Sequence, residues 1–504
     1  MLLSDVLKGI KCDCSEIPEM DVENITAKAN LIKEKTLFVL YKSINRNNDT
    51  RIEELLKMRP CAILTDINID IKTSIPIIYT KNARMAYSYA MYNFCKINPK
   101  SLSFYAVTGS CGKTTTATIL YSIFRKANFK CGFIGTGKIL INDSIETDKY
   151  YSMTTPDPEL LYPLIQKMQS LGCEKIVMEV SSHALALHKV APIKFECSIF
   201  TNLSSEHLDF HGSIEEYYKT KLSIFSQSKK AIFNLDDAYS RRAFLEIGES
   251  LERYSVGVKN DADAVAKEIV FEGIEGSSYI YRERNLLFKI KLNLGGEYNI
   301  SNSLLAIKCA LLSGIEAKTI KEALQQITGI DGRLEKVCNT PSVIIDYAHT
   351  DNALENVLKF IKANKKSEQK LISVFGCGGE RDKEKRPRMA KISEENADFT
   401  LVTSDNSRGE NSREILKEIE KGFKKSYSYS VIENRAEAIR EAILKSRDCD
   451  IILIIGKGHE RYNIDSLGYH SFDEREIIKK ALEERKIIQN ENKNRNTANT
   501  FFDI

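Results

Sequence analysis

A chain of 504 residues, 42% apolar and 28% charged, has an ordinary soluble composition and room for about three domains of ~150 residues each. Its 73 Lys and Arg against 69 Asp and Glu leave a formal charge of +4, too even a balance for a nucleic-acid coat or an anionic membrane surface as the main partner. No apolar run approaches the ~20 residues of a membrane span, and Asp5 interrupts the N-terminus before a signal-peptide core can form, so a cytoplasmic location is expected. The first hundred residues read as a small α/β domain, with strand-like runs at 37–40, 61–64 and 75–78 and a polar helical stretch over 51–58. A strand beginning near Ser103 runs into Gly109, a helix follows from Lys113 to about Ala127, and apolar strands recur at 131–134, 175–180, 197–201 and 231–234. Between 255 and 295 the residues alternate (Tyr279, Tyr281, then Leu287, Lys289, Lys291), which predicts antiparallel strands, closed by helices at 298–314 and 317–327. From about 330 the pattern restarts with five strands, at 343–346, 371–375, 399–403, 429–432 and 450–455, each followed by a helical stretch. That alternation predicts a doubly wound, Rossmann-like parallel sheet. The fold class is therefore α/β in three domains, 1–100, 101–328 and 329–488, with the polar residues 489–504 as a frayed tail.

The twelve cysteines are scattered from Cys12 to Cys449 without a C-x-x-C pair, a distribution that suits free thiols better than disulfides or zinc. The sharpest motif is Thr108-Gly109-Ser110-Cys111-Gly112-Lys113-Thr114-Thr115 at a strand-to-helix turn. Glycines let the backbone wrap a phosphate, and a helix N-terminus offers N–H groups and partial positive charge. Lys113 would neutralise the β/γ-phosphates and the Thr114 hydroxyl would hold Mg²⁺, although Val107 stands where the full Walker pattern has glycine. A second cluster, Met178-Glu179-Val180-Ser181-Ser182-His183, closes an apolar strand, where α/β proteins bind ligands. Glu179 there reads equally well as a helix cap. In a third, His207 and His211 are spaced as zinc ligands, but no Glu follows His207, so one imidazole near phosphate-bound Mg²⁺ and one structural imidazole are expected.

These clusters, with Tyr298-Asn299-Ile300-Ser301-Asn302, Gly332-Arg333-Leu334-Glu335, Asp346-Tyr347-Ala348-His349-Thr350, Gly376-Cys377-Gly378-Gly379-Glu380-Arg381-Asp382, Asp405-Asn406-Ser407-Arg408 and Gly456-Lys457-Gly458-His459-Glu460, resemble the Mur ligases over nearly the whole chain, and the MurE type in particular. The resemblance implies an ADP-forming amide ligase that adds the third stem residue of peptidoglycan, meso-diaminopimelate, to UDP-MurNAc-L-Ala-D-Glu through an acyl phosphate. It implies ATP held by Gly109, Ser110, Cys111, Gly112, Lys113, Thr114, Thr115, Asn299, Asn302, Arg333 and Asp346. Two Mg²⁺ ions would be held by Thr114, Glu179, His207 and a carbamate on Lys221, and Lys113, Glu179, His207 and Lys221 would be the catalytic set. Thr154, Thr155, Ser181 and Lys189 would bind the acceptor; Arg381, Asp405, Asn406, Ser407, Arg408, Gly456 and Glu460 would bind the amino acid. Carbamylation requires a neutral amine, so Lys221 should have a depressed pKa. Arg408 suits the distal carboxylate of diaminopimelate; taken alone, it reads also as a surface ion pair with Glu410. Closure of the third domain onto the nucleotide, small-molecule substrates only, and a monomer are expected.

This chain departs from the family pattern at several points. Cys111 replaces the usual Asn, Ser407 the usual Pro, and Asp351-Asn352 the usual Pro-Asp. In the N-terminal domain Thr26-Ala27-Lys28 stands for Asp-Ser-Arg, and the Asp-Gly segment is not recognisable near Asn47-Asn48-Asp49. Leu187 and Lys189 replace Gln and Arg after the Ser-Ser-His motif. Other readings are a paralogue with a different carboxylate acceptor, a lysine-adding enzyme, and a non-catalytic nucleotide-binding regulator.

Overall fold

A computed structural model describes residues 1–500 except 14–15, 43–48, 71, 147–152 and 250. Eleven of the cysteines lie in the described residues, and all eleven are free of disulfides. By its contacts the chain forms two compact units, 1–146 with 153–263 and 305–319, and 264–304 with 320–500. The first hundred residues therefore pack within the first unit.

Their sheet has five strands, β1 (Cys12–Asp13), β2 (Asn24–Thr26), β3 (Thr36–Leu40), β4 (Ala62–Thr65) and β5 (Ile77–Thr80), in the order β1-β5-β4-β3-β2. All pairs but β1/β5 are parallel. The last strand begins at Ile77, two residues beyond the expected start, because Pro76 has no N–H to offer a ladder. The remainder of the first unit is built on β6 (Ser103–Thr108), β7 (Cys131–Gly135), β8 (Lys138–Ile141), β9 (Ser144–Ile145), β10 (Lys175–Glu179), β11 (Phe195–Phe200), β12 (Ser228–Asn234) and β13 (Glu252–Gly257). Their order is β13-β12-β11-β6-β10-β7-β8-β9, parallel as far as β7 and antiparallel in the β7–β9 meander. The strands β6, β7, β10 and β11 are buried almost throughout, which is why each reads as a continuous apolar run instead of an alternating one. Their C-terminal ends, at Thr108, Gly135, Glu179 and Phe200, lie side by side and carry the loops of interest.

In the second unit β14 (Ala264–Phe271), β15 (Ser277–Glu283) and β16 (Leu286–Leu292) form the antiparallel meander expected from the alternation. A six-stranded sheet follows, ordered β17-β18-β22-β19-β20-β21, from β17 (Glu335–Asn339), β18 (Ser342–Asp346), β19 (Leu371–Phe375), β20 (Phe399–Val402), β21 (Tyr429–Val431) and β22 (Ile451–Ile455). The five expected strands are parallel, and only β17 is antiparallel, at one edge. Apolar clusters fill both faces of this sheet, as a doubly wound fold requires. A hairpin, β23 (Tyr462–Asp465) and β24 (Gly468–Ser471), precedes the last helix, Glu474–Thr500. The expected frayed tail after Gln489 is instead helical to Thr500, a stretch that contains neither Gly nor Pro to stop it.

Candidate functional site

The phosphate-loop motif joins β6 to the helix Lys113–Lys126. Gly109 has φ +145°, and a Cβ there would lie 2.0 Å from Thr201 Oγ1, so no other residue fits this close approach. The segment after β11 clamps the loop: Ser110 N–H donates to Asn202 O (2.9 Å), Cys111 N–H to Asn202 Oδ1 (2.9 Å), and Thr201 Oγ1 to Cys111 O (2.6 Å). Lys113 Nζ lies over the loop, donating to Gly109 O (2.8 Å) and Ser110 O (2.6 Å). The Cys111 residue is exposed, while Ser110 and Thr115 are buried.

Glu179 ends β10, fully buried, and is not a helix cap; Ser181 caps the following short helix through Ala184 N–H (3.2 Å). The Glu179 carboxylate instead collects three donors, one from the first turn of the helix Lys113–Lys126 and two from the turn between β7 and β8: Thr114 Oγ1 at 3.1 Å, Thr136 N–H at 3.0 Å and Thr136 Oγ1 at 3.0 Å. Thr136 also meets Thr154 Oγ1 (2.9 Å), and Thr155 Oγ1 donates to the backbone carbonyl of Glu179 (2.9 Å), so the Thr154-Thr155 segment is held beside the same residue. Thr136 went unnoticed in the sequence because a lone threonine in a turn has no spacing to mark it.

Lys221 is 1% exposed, donating from Nζ to Gly109 O (2.9 Å) with the Tyr217 ring 4.7 Å away. Burial, and then the charge of Lys113, push its pKa well below the ordinary lysine value, the condition that carbamylation needs. The Tyr217 hydroxyl reaches Ser110 Oγ (3.1 Å), tying this lysine's helix to the phosphate loop. His207 sits at φ +56° with its ring against His183. Burial, with His183, Lys113 and Lys221 adding to it against the opposing pull of Glu206, lowers its pKa to about 4, so the imidazole is neutral and able to ligate a metal. His211 shares a hydrogen bond with Ser182 Oγ (2.9 Å), the structural part expected of the second imidazole.

Among the described residues no three His, Cys, Asp or Glu side chains gather as a metal cluster. Mg²⁺ does not require one: it takes one or two protein oxygens, with phosphate and water for the rest. The adjacent Thr114 hydroxyl and Glu179 carboxylate, beside a phosphate loop, fit that chemistry.

The other expected acceptor residues also converge. Lys189 Nζ pairs with Asp157 (2.7 Å) and donates to Thr155 O (3.3 Å). A cavity of about 70 Å³ lies beside them, lined by Lys28, Tyr41, Arg84, Asp157, Leu187 and Lys189 among others. Thr26 Oγ1 (3.3 Å), Tyr87 OH (3.1 Å) and the Lys28 ammonium all reach Glu159. The altered Thr26-Ala27-Lys28 segment therefore faces the altered Leu187 and Lys189 across one small cavity. Asn47 and Asn48 lie outside the described residues.

In the second unit Asn299 and Asn302 are buried and joined by Asn302 Nδ2 to Asn299 Oδ1 (3.2 Å). Asp346 accepts Leu334 N–H (2.7 Å) and Ala348 N–H (2.8 Å), and Arg333 stacks 4.6 Å over the Tyr347 ring. Arg408, at φ +52°, donates from Nη1 to Gly379 O (2.9 Å) and Asn406 O (3.2 Å). Glu410 is not its partner: that carboxylate is held by the buried Arg386 (3.0 Å), so the surface-pair reading of Arg408 does not hold. Asn406 Nδ2 donates to Glu460 Oε2 (2.8 Å), and a Cβ on Gly456 would lie 2.6 Å from Asp405 Oδ2. Arg408, Asn406, Asp405, Gly456 and Glu460 thus lie together in one cluster, and Ser407 is buried beside them. Arg381 flanks the same glycine as Arg408, a Cβ on Gly378 lying 4.0 Å from its Cγ and 2.9 Å from Arg408 Nη1, and its own Nη1 donates to Glu380 O (3.3 Å).

Comparison with known proteins agrees with this arrangement. Residues 107–310 match the Mur ligase middle domain, and residues 332–458 match the Mur ligase, glutamate ligase domain. The chain is 37% identical over 488 residues to a UDP-N-acetylmuramoyl-L-alanyl-D-glutamate--2,6-diaminopimelate ligase of Caldanaerobacter subterraneus subsp. tengcongensis, covering 96% of this chain and 99% of the relative. A solved structure of a ligase of that name superposes with a TM-score of 0.67 at 24% identity, over 96% of this chain and 99% of the other. A MurF ligase of Thermotoga maritima in complex with ADP gives 0.61 at 19% identity, over 92% and 98%. At these identities the two structures speak for the fold.

Proposed function

The chain belongs to the Mur ligase family, and from that premise we infer that it is an ADP-forming ligase of the MurE type, joining meso-diaminopimelate to UDP-MurNAc-L-Ala-D-Glu. In the assignment we propose, residues 1–100 contribute to acceptor binding, 101–328 hold the nucleotide phosphates and 329–488 the amino acid. The observation that carries the substrate reading is the pocket of Arg408, Asp405 and Glu460. It offers a guanidinium to a carboxylate and two carboxylates to an ammonium, within a span bridged by the single residue Asn406, whose backbone carbonyl meets Arg408 and whose side-chain amide meets Glu460.

The chemistry follows from the groups in place. The acceptor's carboxylate oxygen attacks the γ-phosphorus, the bond to the β-phosphate oxygen breaks, and ADP leaves an acyl phosphate. Lys113 and the loop N–H groups carry the charge that spreads over the phosphate oxygens. The amine then attacks the acyl carbon, phosphate departs, and a proton leaves the new amide nitrogen. Mg²⁺, held by Thr114, Glu179 and His207, would supply further neutralisation of the phosphates. Lys221, its pKa lowered by burial, would give its amine to CO₂ as a carbamate, releasing a proton to solvent, and present an anion next to the loop. Lys189, beside the Thr154-Thr155 segment, offers the acceptor a cation, and Asn299, Asn302, Arg333 and Asp346 are assigned to the adenine and ribose. No helix of the described residues is long and apolar enough to cross a membrane, and we propose a cytoplasmic monomer acting on small molecules.

The test is phosphate release from ATP with acceptor and amino acid supplied singly and together, with mass analysis of the product. The tripeptide product requires both substrates. A nucleotide-binding regulator would show no acceptor-dependent release.

A further inference from the structure

Lys457 lies directly beneath the amino-acid pocket and has no part in the mechanism above. It follows β22 and is 0% exposed. Its Nζ donates to Asn406 Oδ1 (2.8 Å) and Tyr462 O (2.8 Å), and lies 3.9 Å from both Asp405 Oδ1 and Glu460 Oε2. Asn406 Oδ1 also accepts Ile464 N–H (2.9 Å), so two donors fix the amide orientation and aim Nδ2 at Glu460. A buried lysine that orients its neighbours in this way is costly to maintain unless its charge is used.

The charges nearby show the use. Arg435 and Glu474, both fully buried, are paired at 2.7 Å, and Arg435 Nη2 also donates to Ile455 O (2.8 Å). That leaves Asp405 and Glu460, two carboxylates at the pocket, against the single ammonium of Lys457. The side chains of Asp405 and Glu460 are 11% and 13% exposed, so they open to the pocket while the lysine does not. With Arg408 reserved for the substrate carboxylate, these two carboxylates and Lys457 leave one negative charge, which one substrate ammonium would balance.

We propose that Lys457 is a positioning residue that keeps Glu460 ionised and Asn406 oriented, so that Asp405 and Glu460 leave one negative charge beyond that of Lys457 for the ammonium of a diamino acid. This rests on the amino-acid pocket assigned above. Glu460 is the sensitive member. Burial and the charge of Asp405 raise its pKa, while Lys457, Asn406 and His349 oppose the rise; Arg435 is the remaining cation in range. Asp405 is held low despite its burial by Lys457 and Arg435. Removing the Lys457 charge would carry the Glu460 carboxyl further up, so that it is protonated at lower pH and its hold on the ammonium is lost there.

The experiment measures KM for meso-diaminopimelate between pH 6.5 and 8.5 in wild type and Lys457→Met, with KM for ATP measured alongside. The ratio of variant to wild-type KM should rise at least about twofold from pH 8.5 to pH 6.5, since a carboxyl's ionised share falls, by up to about tenfold per unit, as pH drops through its pKa. KM for ATP should stay constant. A ratio that is the same across that range, or an equal rise in both KM values, overturns the proposal, because loss of structure alone would not track pH. Lys457→Met/Glu460→Gln, which buries no extra charge, should have the same pH dependence of KM as Glu460→Gln, and a further loss that grows as pH falls in the double variant also overturns it. It serves alone if the single variant fails to fold. A wild type that does not use diaminopimelate contradicts the substrate reading instead; the same ratio is then taken with the diamino acid that it does use.

Discussion

Replacing Arg386 with methionine should destabilise the second unit by an amount that depends on pH in a calculable way. Arg386 is 0% exposed and reaches Glu410 (3.0 and 3.2 Å), Glu418 (2.6 Å) and Gly378 O (3.3 Å), while Glu410 also accepts Glu380 N–H. These bonds tie together the two loops that present Gly379 O and Arg408. The hydrogen-bonded guanidinium, with smaller contributions from the Glu380 N–H and Lys383, lowers the Glu410 carboxyl from 4.5 to about 2 against the opposing effect of burial. A lowered carboxyl contributes stability above its unfolded pKa and loses it as pH falls toward the folded one. At about 1.4 kcal/mol per pH unit the contribution is roughly 3 kcal/mol at pH 7, and about 1.4 kcal/mol remains at pH 3. Methionine keeps most of the packing, and Arg386 Nε has no hydrogen-bond partner to lose. Arg386→Met should therefore cost about 3 kcal/mol at pH 7 and about 2 kcal/mol less at pH 3. Hydrogen exchange of the β19 amides against urea reads the stability of this unit by itself. A cost that is the same at both pH values would refute the reasoning.

Two further outcomes are expected. Lys221→Ala should lose nearly all turnover and regain part of it with added small carboxylates, which replace the carbamate anion; full activity without them would exclude the modification. Iodoacetamide should label Cys111 and Cys449, the two exposed cysteines among those described, with Mg-ATP protecting Cys111 alone, and Cys111→Asn should be active and resistant. Peptide mapping with and without nucleotide decides this, and equal labelling of Cys111 in both states removes it from the nucleotide site.

Local signals in the chain marked most of the elements and part of the site. The phosphate loop was legible because a Gly-rich turn between a buried strand and a helix is a local arrangement, and the parallel strands because two buried faces leave unbroken apolar runs. The hairpin β23/β24 and the edge strand β17 escaped because each is short and largely solvent-facing, so neither carries a periodic signal. The charge partners were the least visible part. Glu410 lies two residues from Arg408 in sequence yet pairs with Arg386, 24 positions upstream, because only the fold brings the helix Lys385–Asn396 beneath that loop. Thr136 and Lys457 were missed for the same reason: their role lies in which buried group they face, and that is decided by strand order.

The central claim, that this pocket selects a diamino acid by its distal carboxylate, is tested most directly by kcat/KM for meso-diaminopimelate and L-lysine in wild type and Arg408→Ala, with UDP-MurNAc-L-Ala-D-Glu as acceptor. Leaving a desolvated carboxylate without its partner costs about 2–4 kcal/mol. Wild type should therefore prefer diaminopimelate, and Arg408→Ala should lose roughly 30- to 1,000-fold on diaminopimelate with little change on lysine. A wild type that prefers lysine, or an Arg408→Ala variant that loses equally on both, would contradict the account.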